Sequence, residues 1–144
     1  MKIIAVDLGK IRTGLAVCDE GEILASPVGV ITEYNREKLA QRVAQEASSH
    51  KVELLVVGLP RNMDGSEGES ARNAREFGAL LGRLSGLPVE FCDERGTTIT
   101  AHSYLNDTDT RGKRRKSVVD TVAATIILED YLAYRRNRQR ENGK

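Results

Sequence analysis

The chain has 144 residues, of which 40% are hydrophobic and 30% charged, with a formal net charge of +1. That length fits one domain with a real core, and that composition excludes a disordered or fibrous chain. No apolar run approaches the roughly 20 residues of a membrane span, and the chain opens on a strand pattern rather than a signal segment, so neither membrane insertion nor secretion is expected.

The small net charge hides an asymmetry. Residues 110–144 hold ten Lys/Arg against four Asp/Glu, whereas the other 109 hold twelve against seventeen. A basic C-terminal quarter on a mildly acidic body points to a polyanion partner. Cys18 and Cys92 have no metal-type spacing and read as small core residues of a reduced, cytoplasmic protein.

Lys2 to Val6 is almost continuously apolar, the pattern of a central strand buried on both faces. It ends at Asp7. The strand over Lys2–Leu8 should pair with Thr13–Asp19 across Gly9–Arg12. A third strand is expected over Gly21–Thr32, on an edge because it contains Pro27. Arg36–Ser49 has helical spacing, with Leu39, Val43 and Ala47 on one face and Asn35 as N-cap. Val52–Leu59 is the most apolar run and reads as a buried strand.

A polar loop, Arg61–Gly68, follows. Ser66 and Glu69 have capping-box spacing for a helix carrying Ala71, Ala74, Phe77, Leu80 and Leu81 and stopping near Gly86. Pro88–Asp93 is a fifth strand, followed at once by Glu94 and Arg95. A short helix is expected over Thr98–Leu105. Asn106–Lys116 contains no apolar residue and reads as a mobile loop. The last helix is expected over Val118–Arg136, with Ser117 and Asp120 as a second capping box. These elements form one domain, residues 1–138, with a frayed basic tail at 139–144.

Three antiparallel strands followed by two strands that each come after a helix give a mixed α/β sheet. Right-handed crossovers set the later strands parallel to the first, so the expected order is 3-2-1-4-5, strand two antiparallel, with helices on both faces. Ligands of such sheets bind beyond the carboxyl ends of the parallel strands. Asp7, the Gly58–Gly68 loop and Asp93-Glu94-Arg95 all leave the sheet at that edge. Asp120 joins them if the last helix packs across it.

Carboxylates gathered from remote positions repel unless a cation is present, and oxygen-rich acidic sites suit Mg²⁺ or Mn²⁺. Two such ions can activate water and stabilise the leaving oxygen in phosphodiester cleavage. Asp93 and Glu94 are consecutive and point to opposite faces. The longer Glu94 is the chosen ligand, since strand five lies roughly 10 Å from Asp7. Asp120 stands equally as a capping residue. Asp7 as a mere turn residue is the lesser reading, because its strand is apolar and central. Asn62, Asp64 and Glu67 read by default as loop polar residues without a role. Arg12, Arg61 and Arg95 suit backbone phosphates or surface ion pairs. Arg111, Lys113, Arg114, Arg115 and Lys116 suit a phosphate backbone read without sequence preference. With two Phe and four Tyr, no base-stacking surface is apparent in the sequence.

Four segments, VDLGKIRTGLAVCD, VVGLPRNMDGSEG, CDERGTT and SVVDTVAATIILEDYL, in this order, resemble the YqgF/RuvX family of small bacterial RNase H-like proteins related to Holliday junction resolvases. The resemblance spans nearly the whole chain. It implies a cytoplasmic nuclease that matures the 5′ end of pre-16S rRNA, with Asp7, Glu94 and Asp120 as an acidic, metal-dependent site. Arg12, Arg61, Asn62, Arg95, Lys113, Arg114 and Arg115 are the residues expected on the nucleic acid. Many RNase H-like folds carry a carboxylate at the end of strand four. Here that place reads Gly58-Leu59-Pro60.

Two other readings stay open at this point: a resolvase of branched DNA with the same site, and a non-catalytic RNA-binding assembly factor. A nucleotide-binding lobe of actin-like type is disfavoured, because 144 residues do not supply the second lobe it needs. Monomer and homodimer are both compatible with the sequence.

Overall fold

The structure, a computed structural model, describes residues 1–60, 64–93 and 112–142, with side chains in the last segment described for 121–138. Its elements are β1 (Ile3–Asp7), β2 (Arg12–Cys18), β3 (Ala25–Thr32), α1 (Arg36–Ser49), β4 (Leu54–Leu59), α2 (Glu69–Ser85), β5 (Val89–Asp93) and α3 (Gly112–Asn142). The sheet order is β3-β2-β1-β4-β5. β1 is antiparallel to β2 and parallel to β4, and β4 is parallel to β5. The expected topology is the one observed, and Pro27 lies on the edge strand β3.

β1 is central because it can be buried twice. Ile3, Ile4, Ala5 and Val6 are all fully buried. Ile4 and Val6 pack with Leu55, Val57 and the buried stripes of α1 and α2 on one face. Ile3 and Ala5 pack with Leu54, Val56 and the α3 residues Ala124, Ile127, Leu128 and Leu132 on the other. The period-two alternation of a strand thus divides one apolar run between two cores.

The helices follow their local chemistry. Asn35 Oδ1 accepts from the Lys38 N–H at 2.9 Å, the expected N-cap of α1. Gly86 ends α2 in the left-handed conformation, φ 73°. Within α2, Gly78 lies against the Phe91 ring, and a Cβ there would stand 2.6 Å from Phe91 Cζ. Helix and strand therefore meet at glycine distance. No helix among the described residues is long and apolar enough to cross a membrane.

Four expectations need correction. β3 begins at Ala25 rather than Gly21, because Asp19 Oδ1 accepts from the N–H groups of Ile23 (2.8 Å) and Leu24 (3.3 Å) and closes a turn there. Ser66 does not cap α2. Its N–H and hydroxyl both donate to Asp64 Oδ1, at 2.9 and 2.6 Å, and the N-cap is Gly68, without a side-chain cap bond. α3 begins at Gly112, so residues 112–116 of the expected loop are helical and Ser117 lies inside the helix rather than at its cap. Lys and Arg are good helix formers, and a reading that seeks apolar periodicity overlooks them. Asp120 therefore belongs to the third turn, not the first. The expected helix over Thr98–Leu105 lies outside the described residues.

Glu22 fastens the amino end of the sheet to α3. It adopts φ 57°, and its carboxylate accepts from Arg135 Nε and Nη2 and from the N-terminal ammonium. Arg135 above all, then the N-terminus, holds the Glu22 carboxyl below its ordinary value, and Arg135 is correspondingly raised. A carboxyl lowered in the folded state stabilises above its unfolded pKa of about 4.3, and that contribution fades as pH falls through the lower folded value. Glu22→Gln is expected to cost about 1–2 kcal/mol at neutral pH, the range for a charge-assisted hydrogen bond with some exposure. Urea unfolding of both proteins checks this. The gap should be full at neutral pH and close in acid, and a gap that widened in acid would refute the role assigned to this carboxylate.

Candidate active site

The carboxyl edge of the parallel strands is built around Asp7. β1 alternates, so Asp7 shares the α3 face with Ile3 and Ala5. Its partner across the β1–β2 ladder is Gly14. On the other side β1 pairs with β4 through Val6↔Val57, so the next position level with Asp7 is Gly58. Both flanking positions carry glycine. The sequence shows both glycines, but only the register aligns them with Asp7. Gly58 also stands at the end of the fourth strand, where many RNase H-like folds carry a carboxylate.

Arg12 is two residues beyond Gly14 on β2 and has the same parity, so it lies on the α3 face. The strands are antiparallel, which carries Arg12 about 7 Å past the level of Asp7. It is half-buried.

α3 approaches the edge from the opposite direction. Arg135 is tied to Glu22 at the amino end of β1. From Met1 to Asp7 is six residues of strand, about 20 Å. From Arg135 back to position 120 is fifteen residues of helix, about 22 Å. A second anchor is the contact of Cys92 Sγ with the Ile127 carbonyl, 3.9 Å, on a strand where Cys92 pairs with Gly58. Position 120 lies seven residues, about 10 Å, before Ile127. The two anchors bracket position 120 between the level of Asp7 and about 10 Å beyond it. Position 120 also continues the helical stripe of Ala124, Ile127 and Tyr131, all buried against the sheet. The backbone at position 120 thus lies within about 10 Å of the level of Asp7.

Asp93 is not. In β5, Val89 and Phe91 pack on the α1/α2 side and Cys92 on the α3 side, so Asp93 belongs to the face opposite Asp7. Glu94, Arg61, Asn62 and Arg95 lie outside the described residues. Lys113, Arg114 and Arg115 fall in the first two turns of α3, where the backbone alone is described. The loop acids Asp64 and Glu67 have structural partners. Asp64 closes its turn with Ser66, and Glu67 makes a two-pronged pair with Arg75 at 2.7 and 2.8 Å. Arg75 in turn stacks over Phe91, 5.2 Å from the ring centroid.

The reverse side of the same edge holds a cavity of about 630 Å³ between the first turns of α1 and α2. Lys10, Tyr34 and Arg36 border it. Lys10 is remote in sequence from Tyr34 and Arg36 and the three carry no motif, which is why no reading of the sequence brings them together.

The family model described as "RuvX: Holliday junction resolvase" matches residues 1–134. Among curated relatives, a protein of Clostridium botulinum named "Putative pre-16S rRNA nuclease" is 40% identical over 132 residues, 92% of this chain and 96% of the relative. A protein of Anaeromyxobacter with the same name is 41% identical over 132 residues, with the same two coverages. Among solved structures, Thermus thermophilus RuvC in complex with a Holliday junction substrate matches 95% of this chain and 96% of its own, with a TM-score of 0.59 at 13% identity. The fowlpox virus resolvase bound to Holliday junction DNA matches 93% of this chain and 98% of its own, with a TM-score of 0.55 at 12% identity. At such identities the likeness is one of fold.

Proposed function

This chain belongs to the RuvX family, and we propose that it is a divalent-cation-dependent nuclease that trims precursor ribosomal RNA in the cytoplasm, with Asp7, Glu94 and Asp120 as its acidic ligands. It has an RNase H-like fold of the resolvase type and is a phosphodiester-cleaving hydrolase. The observation that supports the site is the setting of Asp7: an acid at the end of a fully buried central strand, between two glycines, facing the helix that carries Asp120.

Among the described residues there is no group of three metal-ligating side chains, and of the three proposed ligands only Asp7 has a described side chain. The donors fit a hard cation, because all three supply carboxylate oxygen. Asp7 would hold it from the sheet, Asp120 from α3 and Glu94 from the segment after β5. Asp93 has the parity of the opposite face, and Glu94 is the ligand proposed. Bound there, Mg²⁺ or Mn²⁺ would supply Lewis-acid stabilisation and an activated water.

The remaining residues bind and orient. Arg12 overhangs Asp7 on the same face and suits a phosphate next to the scissile one. The first turns of α3 carry Lys113, Arg114, Arg115 and Lys116 and no acid. Cations at a helix N-terminus oppose the helix dipole, by roughly 0.3–1 kcal/mol each. A polyanion relieves that conflict, and a phosphate backbone is the polyanion this arrangement fits. Arg61, Asn62 and Arg95 are proposed as further phosphate contacts.

The test is cleavage by the purified protein of a precursor 16S rRNA fragment and of a four-way DNA junction, each with Mg²⁺, with Mn²⁺ and with excess chelator. The expected result is metal-dependent cleavage of the RNA and none in chelator. Paired cuts in the junction with the RNA left intact would replace this reading by the resolvase one. Cleavage that persists in chelator would end both.

A further inference from the structure

We infer that the cavity between the first turns of α1 and α2 is a second nucleic-acid seat, which holds a single-stranded nucleotide flanking the scissile phosphate with its base stacked on Tyr34 and a phosphate on Lys10. The inference takes the identity of the strand from the nuclease reading above. The cavity itself stands on its own geometry.

Leu8, on its border, packs into the α1/α2-side core, whereas Asp7 one residue earlier faces α3. The seat and the proposed catalytic acid are therefore on opposite faces of the sheet but adjacent along its edge. Among the described residues the β1–β2 turn lies between them, and Gly9 in that turn presents no side chain to a strand crossing over. At about 630 Å³ the cavity is in the range of sites for small organic ligands, and one nucleotide unit is such a ligand.

Its chemistry is that of a nucleotide rather than of an apolar ligand. Lys10, Tyr34, Asn35, Arg36, Ser70 and Asn73 line it. Tyr34 is 69% exposed, although tyrosine usually buries its ring. Tyr131 and Phe77 are buried, so Tyr34 is set apart from the aromatics that serve the cores. Glu69 also borders the cavity and is the acid opposed to Lys10 and Arg36. The local balance is one positive charge. Exposed aromatic faces beside basic groups are the working parts of single-strand binding surfaces.

The platform is held rigidly. Glu33 N–H donates to the Ile11 carbonyl at 2.8 Å, and Arg36 Nη1 donates to the Gly9 carbonyl at 2.9 Å. Asn35 N–H donates to Glu33 Oε2 at 3.2 Å, while its own side chain caps α1. The backbone on both sides of Tyr34 is thus tied to the turn that follows Asp7. α2 begins at Glu69 after the N-cap Gly68, which makes no side-chain cap bond, and Glu69 and Ser70 of its first turn are on the cavity border, where a ligand oxygen could accept from first-turn N–H groups.

The experiment is binding of a short, fluorescently labelled single-stranded RNA to the full chain in chelator, so that no cleavage intervenes. Tyr34→Ala should raise Kd about tenfold, in the range lost with one base–aromatic stack, and Tyr34→Phe should keep the wild-type Kd. Lys10→Gln should reduce the slope of log K against log salt by about 0.7, one phosphate of a single strand. Loss of binding in Tyr34→Ala from a protein that cleaves nothing would keep the seat and remove the nuclease reading. An unchanged Kd in Tyr34→Ala from a protein that cleaves normally would remove the seat alone. Adenosine monophosphate competing as tightly as the oligonucleotide would make this a mononucleotide site and overturn the proposed strand.

Discussion

Asp7→Asn is expected to lower the rate of RNA cleavage at least about a thousandfold while leaving the fold intact. A cation that polarises phosphoryl oxygens contributes several kcal/mol to the transition state, and each 1.36 kcal/mol is a factor of ten. The amide keeps the size of the carboxylate but not its charge, so a hard cation loses its ligand on the sheet. Asp7 ends β1, where the ladder to Gly14 is made by backbone, and asparagine preserves it. Stability offers an independent readout. A ligand that binds only the folded state stabilises it by about 2.7 kcal/mol at a hundred times its Kd. Mg²⁺ or Mn²⁺ should therefore raise the Tm of the natural protein and leave that of Asp7→Asn where it was. Equal cleavage by the two proteins would assign the activity to a contaminant or to other residues. A metal-dependent rise in both Tm values would move the cation away from Asp7.

The parts of this fold that are legible in sequence are those in which one residue type has one use. Ile3 to Val6 reads as a central strand because no other position in a sheet buries four consecutive residues on both sides. Asn35 reads as a cap because a short side-chain acceptor before an apolar stripe satisfies a free N–H. Where two uses compete, the reading fails. Ser66 has capping-box spacing to Glu69, yet Asp64 is nearer and takes both its N–H and its hydroxyl. Residues 112–116 lack apolar periodicity, yet Lys and Arg propagate a helix well. The site divides in the same way. Asp7 is visible as an acid where a buried strand ends. That Gly14 and Gly58 flank it, and that Asp93 faces away from it, are consequences of register, which no window of sequence contains. The cavity on the reverse face is made by residues of the β1–β2 turn, the β3–α1 connection and α2, and topology alone brings these together.

The β1–β2 turn joins the two faces of this edge, and Gly9→Ala should show it. A Cβ at Gly9 would stand 1.9 Å from the Arg12 carbonyl oxygen, where real contacts of this kind are not below 3.0 Å. The obstacle is backbone, so no side-chain rotation removes it, and the turn must open by at least about 1 Å. Three contacts resist the opening: Gly9 N–H to Thr13 Oγ1, Arg36 to the Gly9 carbonyl, and Glu33 N–H to the Ile11 carbonyl. Overpacking of this kind costs typically 1–3 kcal/mol, and weakened hydrogen bonds add to it, so a loss of about 2–3 kcal/mol in unfolding free energy is expected. Asp7 lies two residues before Gly9 and Arg12 three after. A misplacement of about 1 Å at a reacting centre can cost a hundredfold in rate. Cleavage should accordingly fall about a hundredfold at a temperature where the variant is still folded. Gly82→Ala is the control. Its Cβ would meet nothing closer than Val89 Cγ2 at 3.4 Å. Inside a helix that change should gain about 0.5–1 kcal/mol and leave the rate alone. If Gly9→Ala matched the natural protein in both denaturant midpoint and rate, the turn would be free to move, and neither Asp7 nor Tyr34 would owe its position to it.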